Sequence, residues 1–206
     1  MHGEETVSLR KNNKVVNCLI VGIGGQGVLT ISDILSLAAA AAGYDVKKSE
    51  VHGMAQRGGS VNSHVRFGKH VYSPLISQQQ ADVLVAMEKL EALRYLHYCV
   101  PQKGILIINN EQIDPLPVTS RQMDYPNGII KKCESRLKSV HVIKGSVAAK
   151  ELGNLRLIST VMAGALSRVL EIDEDHWLTA MRERFPQKWQ DINANAFLKG
   201  RKQIHL

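Results

Sequence analysis

The sequence predicts an α/β fold: a mainly parallel sheet flanked by helices, with a helical C-terminal segment. Three observations carry that expectation. Val15 to Val21 (VVNCLIV) is an almost continuous apolar, β-branched run, the pattern of a strand buried on both faces of a parallel sheet. It leads through GIGGQG into Val28–Ala42, an Ala/Leu/Ile-rich stretch of helical length. Apolar strand-like runs then alternate with helical spacing until about residue 145, after which only helical patterns remain.

Taken in order, Gly43 closes the first helix as a C′ residue, and Tyr44–Ser49 (YDVKKS) follows as a second strand, giving a Rossmann-like strand, turn, helix, strand unit. Val61, Ser63, Val65 and Phe67 alternate with polar residues, so Ser60–Phe67 reads as a strand with one wet face. On that reading Ser63 and His64 are solvated or face a partner. Val71–Ile76 is expected as a short edge strand ended by Pro74.

Ala81–Met87 (ADVLVAM) is a strand, Glu88–Val100 a helix whose Glu88, Lys89, Glu91 and Arg94 form its exposed start and flank, and Gly104–Asn109 (GILIIN) a further strand. Glu88, at a strand end, could also border a cleft. Pro115, Pro117 and Pro126 mark Glu111–Pro126 as a surface excursion. Gly128–Leu137 reads as helix and Val140–Lys144 as the last strand. Helices are expected over Ser146–Leu152, Arg156–Leu170, Glu174–Phe185 and Gln187–Lys199, with Pro186 in the first turn of the last. Trp177, Phe185, Trp189 and Phe197 would anchor this tail on the sheet or on a subunit interface. Residues 1–14 are polar and mixed in charge and are expected to be a flexible N-terminal segment; residues 15–206 form one domain, with an α/β core over 15–145 and a helical segment over 146–206.

Composition narrows the function. With 206 residues, 44% hydrophobic and 22% charged, the chain can bury a sizeable core, which excludes disorder, collagen and a coiled-coil rod. No apolar run reaches the ~20 residues of a membrane span; the longest, Ile34–Ala42, is broken by Ser36. No membrane partner is expected. Cys18, Cys99 and Cys133 are too far apart and too few for an iron–sulfur cluster or a structural zinc site, and a reducing cytoplasm suits them. The net charge of +7 is spread along the chain, and aromatics are only 5%. No nucleic-acid signature accompanies that charge, so an anionic cofactor or an acidic protein fits it better.

Two segments carry chemistry. Gly22-Ile-Gly24-Gly25-Gln26-Gly27 satisfies G-x-G-x-x-G after a strand and before a helix. Gly22 permits a tight turn, Gly24 a close approach of the backbone to an anion, and Gly27 close packing of helix on strand. Amides at the helix start would then hold a phosphate or carboxylate. A nicotinamide site needs a carboxylate at the end of the second strand, and Glu50 is near that place. Glu50, however, opens the cassette Glu50-Val-His52-Gly53-Met54-Ala-Gln56-Arg57-Gly58-Gly59-Ser60. There Arg57 could clamp an anion in bidentate fashion, His52 could move a proton near neutral pH and is the candidate catalytic residue, and Gln56 could orient a carbonyl. The alternative is a solvated loop in which Glu50 and Arg57 pair with each other. His97, His141, His176 and His205 show no ligand spacing, and no metal site is expected.

The strings GIGGQGVLTISDIL, SEVHGMAQRGGSVNSHVRFG, SPLI, ADVLVAMEKLEALRYL, ELGNLRLISTVMAGAL and INANAFLKG closely resemble the gamma-type subunit of 2-oxoacid:ferredoxin oxidoreductases. Within that family they are most similar to the small (beta) subunits of the indolepyruvate-dependent enzymes. The resemblance runs from about Val15 to the end of the chain, and SEVHGMAQRGGSV is its most specific part. It implies a pyruvate-ferredoxin oxidoreductase gamma-type domain in an oxygen-sensitive, cytoplasmic complex. That complex decarboxylates a 2-oxoacid, here an aryl pyruvate, passes electrons to ferredoxin and transfers the acyl group to coenzyme A. It further implies that this chain binds no cofactor alone. Thiamine diphosphate with its magnesium and the 4Fe–4S clusters belong to the large (alpha) partner subunit, and coenzyme A is a co-substrate. The glycine loop (Gly22, Gly24, Gly25, Gln26, Gly27) and the cassette (Glu50, His52, Gln56, Arg57, Gly58, Gly59) would then line the approach for coenzyme A or the oxoacid. Two rivals are a stand-alone NAD- or flavin-dependent oxidoreductase and a non-catalytic assembly module.

Overall fold

A computed structural model describes residues 15–52 and 59–205, with His52 given by its backbone only. The first fourteen residues and most of the cassette (53–58) lie outside it. Among the described residues six strands form one sheet in the order β2-β3-β1-β4-β5-β6. They are β1 (Val16–Ile23), β2 (Asp45–His52), β3 (Ser60–Gly68), β4 (Val83–Ala86), β5 (Ile105–Asn109) and β6 (Ser139–Ile143). β1, β4, β5 and β6 pair in parallel, and β3 is antiparallel to both β1 and β2.

β1 is buried along seven of its eight residues, as a doubly covered central strand must be. Val16, Cys18 and Ile20 face one core with α1 (Val28–Ala41), α6 (Ile158–Val169), α7 (Glu174–Arg184) and α8 (Gln187–Arg201). Leu19 and Val21 face a second core with α2 (Lys89–Tyr95) and α4 (Ile129–Glu134). The result is three layers, helices on both sides of the sheet. Two short helices complete the set, α3 (Leu116–Thr119) within the proline-rich excursion and α5 (Gly145–Glu151) after β6.

α1 ends as the sequence implies. Gly43 takes φ +86°, its N–H donates to the Ala40 carbonyl at 2.9 Å, and the Tyr44 N–H donates to the Ala39 carbonyl at 3.1 Å, the two bonds of a Schellman cap. The tail covers the sheet: Trp177 and Phe197 are fully buried, their rings 5.9 Å apart, whereas Trp189 is exposed.

The β1–α1–β2 unit keeps its two strands parallel, with β3 inserted between them. Other expectations are corrected. Val71–Ile76 forms no strand; Val71 N–H donates to Asp45 at 2.8 Å and Ile76 N–H to His64 Nδ1 at 3.1 Å. The face of β3 expected to be wet is covered. On that face His64 is buried, its ring stands edge-on to Tyr98, and Asn62 donates to the Tyr95 hydroxyl at 3.0 Å; Ser63, on the opposite face, is buried too. The helix expected over Glu88–Val100 ends at Tyr95 and tightens into a 3-10 turn over Leu96–Tyr98. Its carboxylates Glu88 and Glu91 are buried, not exposed.

Candidate functional site

The carboxyl ends of the parallel strands, where α/β sheets open a crevice, carry the glycine loop between β1 and α1. Each glycine serves a separate need. A Cβ on Gly22 would stand 2.9 Å from Met87 Cβ and 2.9 Å from Val28 Cγ2, so this position lets strand, neighbouring strand and helix meet. Gly25 (φ +100°) and Gly27 (φ +88°) take left-handed backbone closed to most other residues. Gly27 caps α1, and a Cβ there would come 2.7 Å from Ser159 Cβ. Its close contact is therefore with α6, not with the strand the motif suggests.

Two parts of the loop are committed internally. Gly24 N–H donates to the Gly59 carbonyl at 2.9 Å and so is not free to hold an anion. Gln26 is a clamp. Its Oε1 accepts from Ile23 N–H at 2.8 Å and its Nε2 donates to the Met87 carbonyl at 3.3 Å. Among the described residues the amides of Gly25 and Gly27 make no such bond.

The next strands supply what the sequence reading missed. Asn109, ending β5, is buried; its Nδ2 donates to the Met87 carbonyl at 3.2 Å and its Oδ1 accepts from Gly145 N–H at 3.0 Å. Two residues on, the Glu111 carboxylate accepts from the Ser146 hydroxyl, and its carbonyl takes Lys89 N–H at 3.1 Å. A cavity of about 620 Å³ opens above this floor, lined by Gly25, Gln26, Gly27 and Thr30 on one side, Met87, Asn109, Glu111 and Ile113 below, and Ser146, Leu155, Arg156, Ile158 and Ser159 opposite. That volume suits a sizeable organic ligand. Arg156 is exposed, and its guanidinium makes no hydrogen bond or ion pair among the described residues. The polar pair closing the apolar run GILIINN was the signal available for Asn109, since ligands meet parallel strands at their carboxyl ends.

The other expected site residues separate. Glu50 lies on edge strand β2, where Lys48 Nζ stands 2.8 Å from it; Lys48 also meets Asp33 at 2.6 Å, and Asp33 meets Arg184 at 3.0 Å. With β3 between β2 and β1, this carboxylate does not stand beside the glycine loop, as a ribose-binding acid would. His52 ends β2, its backbone paired with Val61; Gln56, Arg57 and Gly58 lie outside the described residues. Gly59 is the point at which the cassette meets the glycine loop.

Glu88 does not line the cavity. It caps α2, accepts Glu91 N–H at 3.0 Å and Ile113 N–H at 3.3 Å, and takes the Tyr125 hydroxyl. Burial and the adjoining Glu88 push the Tyr125 phenol up from its ordinary value. A smaller cavity of about 310 Å³ lies beyond, between Lys89, Gln112, Tyr125 and Gly128. Burial likewise raises the Cys18 thiol and lifts Cys99 to about 12 and Cys133 to about 11, which makes all three poor nucleophiles. Among the described residues no group of three His, Cys, Asp or Glu side chains could hold a metal ion, and no helix is long and apolar enough to cross a membrane.

Known proteins share this architecture and sequence. The family model for pyruvate ferredoxin/flavodoxin oxidoreductase matches residues 17–203. The indolepyruvate oxidoreductase subunit IorB of Thermococcus kodakarensis is 37% identical over 91% of this chain and 95% of its own length. That of Archaeoglobus fulgidus is 38% identical over 91% and 94%. Among solved structures, a 2-oxoglutarate:ferredoxin oxidoreductase from Magnetococcus marinus, with 2-oxoglutarate, coenzyme A and succinyl-CoA bound, superposes with a TM-score of 0.71 at 21% identity, covering 92% of this chain and 31% of that one. The gamma subunit of a keto/oxoacid ferredoxin oxidoreductase from Geobacter sulfurreducens gives 0.69 at 21% identity, over 92% and 96%. These structures share the fold; family membership rests on the sequence. A match running from the first strand to the last helix, with curated relatives well above 30% identity along nearly their whole length, makes this chain a member of the pyruvate ferredoxin/flavodoxin oxidoreductase family.

Proposed function

We propose that this chain is the small, gamma-type subunit of a 2-oxoacid:ferredoxin oxidoreductase acting on indolepyruvate or a related aryl pyruvate. In that reaction the oxoacid loses carbon dioxide, its acyl group passes to coenzyme A, and the electrons go to ferredoxin. Thiamine diphosphate, magnesium and the 4Fe–4S clusters sit on the large partner subunit. Three scattered, buried thiols supply no cluster ligands here. Those free thiols also agree with a cytoplasmic setting.

The part taken by this chain is to build one wall of the approach for coenzyme A or the oxoacid. A single observation carries this reading: the cavity at the carboxyl ends of β1, β4 and β5 is lined by Gly25, Gly27 and Arg156, whose loop amides and guanidinium are bonded to nothing among the described residues. An anionic group, a coenzyme A phosphate or a substrate carboxylate, matches that donor set. The cassette joins β2 to β3 at the same end of the sheet, so Arg57 is proposed to add a second guanidinium there, with His52 and Gln56 orienting groups at its edge.

The test uses the reconstituted complex with indolepyruvate, coenzyme A and a viologen acceptor. Arg156→Ala and Arg57→Ala are each expected to raise the KM for coenzyme A or the oxoacid about tenfold or more. If both KM values and kcat stay put in both variants, the assignment is wrong.

A further inference from the structure

We infer that the face of the β2–β3 hairpin turned away from α1, together with the segment 69–77 laid across it, is the surface that docks the larger partner subunit. The inference rests on the proposed function for the existence of that partner. Its location rests on observations outside the cavity.

The sheet is clothed unevenly. On the α1 side the hairpin is covered, and Val61, Val65 and Phe67 belong to the core. On the other side Asn62, His64 and Arg66 of β3 are covered by Tyr95, Tyr98 and residues 73–76. Among the described residues nothing covers their register neighbours on β2, Val51, Ser49 and Lys47 in this way, and Val51 is 48% exposed.

Beside this open strip runs a segment without regular structure that is nonetheless held at several points. Arg66 donates to the Ser73 carbonyl at 2.7 Å, Val71 N–H to Asp45 at 2.8 Å, and Ile76 N–H to His64 at 3.1 Å. What these bonds present to solvent is apolar: Tyr72 is 95% exposed and Leu75 57%. A braced loop carrying an outward tyrosine loses little conformational freedom on binding, and aromatic side chains of this kind anchor interfaces.

Charge decides between two occupants. Lys69 and His70 are exposed in the patch and Lys47 borders it; Asp45 already meets Lys47 Nζ and Val71 N–H. Two copies related by a two-fold axis would set one basic patch against another, on a chain already at +7. The surface therefore fits an acidic rim around an apolar pocket that receives Tyr72, on a different chain.

The complex reconstituted from this chain and its large subunit tests the inference. Tyr72→Ala and Leu75→Ala should each weaken association about 30-fold, the loss expected of an anchor residue, while the melting temperature of the isolated chain stays unchanged. Raised salt should weaken the wild-type complex, and Arg156→Ala should leave its Kd unaltered. Unchanged affinity of Tyr72→Asp for the large subunit would overturn the proposal. So would a self-associated form of the chain that Tyr72→Asp dissolves while heteromer affinity holds. Because Kd is read without turnover, a complex that assembles but fails to oxidise an oxoacid would count against the proposed function and not against this surface.

Discussion

Gln26 and Asn109 donate to one acceptor, the main-chain carbonyl of Met87, at 3.3 and 3.2 Å. The two side chains thereby tie the loop after β1 and the end of β5 to the end of the strand between them. Asn109 extends the tie to the start of α5 through Gly145 N–H. The cavity floor is thus a continuous row of hydrogen bonds across β1, β4, β5 and α5.

That row predicts unequal costs. Asn109→Ala strands a buried amide and should destabilise the chain by about 2 kcal/mol, read as a shift in the urea midpoint with unchanged m-value. Gln26 is half-buried and water can replace it, so Gln26→Ala should cost under about 1.5 kcal/mol and act mainly on the KM of the complex.

Two glycines in the helical tail are more demanding than those of the motif. A Cβ on Gly200 would lie 1.9 Å from the Val161 carbonyl oxygen, and one on Gly164 would lie 2.0 Å from that of Phe197. α6 and α8 meet backbone to backbone, and Gly200→Ala must drive them apart at a cost of about 3 kcal/mol. Gly25→Ala meets nothing within 4 Å and pays only for its left-handed backbone, about 1 kcal/mol. Thermal unfolding of the two variants should rank them in that order.

Burial holds the His64 imidazole below its ordinary value of 6.5, and its Nδ1 must stay unprotonated to accept from Ile76 N–H. With the folded pKa depressed, the neutral ring contributes stability that is present above about 6.5 and is lost as pH falls through the lower folded value. The protection of the Ile76 amide, its exchange rate measured against the intrinsic rate at the same pH, should therefore fall in mildly acidic buffer. In His64→Asn, whose amide oxygen can accept the same bond, that acid dependence should vanish.

Glu91 behaves in the opposite sense. Burial raises its carboxyl above 4.5, against the opposing pull of Ser60 and Arg94. A raised carboxyl contributes stability that is complete below the unfolded value and is lost as pH climbs through the folded one. Relative to wild type, Glu91→Gln should therefore gain stability as pH climbs above about 4.5. A parallel pair of stability curves across that range would refute it.

How much was legible follows from what each signal measures. VVNCLIV, ADVLVAM and GILIIN announced doubly buried strands because burial on both faces demands unbroken apolar runs. Gly43 announced its cap because only a left-handed residue closes a helix that way. His64, Glu88 and Glu91 misled because polarity forecasts exposure only when no partner is folded over the residue. Here Tyr98, Ile76, Tyr125 and Ser60 supply those partners. Asn109, Glu111, Ser146 and Arg156 carried no joint signal, being spread over 48 positions between 109 and 156.

The sequence by itself determined the layer architecture, the glycine loop and the family, since these depend on local periodicity and on strings read within one segment. Only the tertiary structure decided that β3 enters between β1 and β2, that Gln26 clamps rather than binds, and that Arg156 shares a cavity with Gly25. Strand order and side-chain convergence are settled by packing between segments distant in the chain, and residue spacing along one strand or helix carries no record of it.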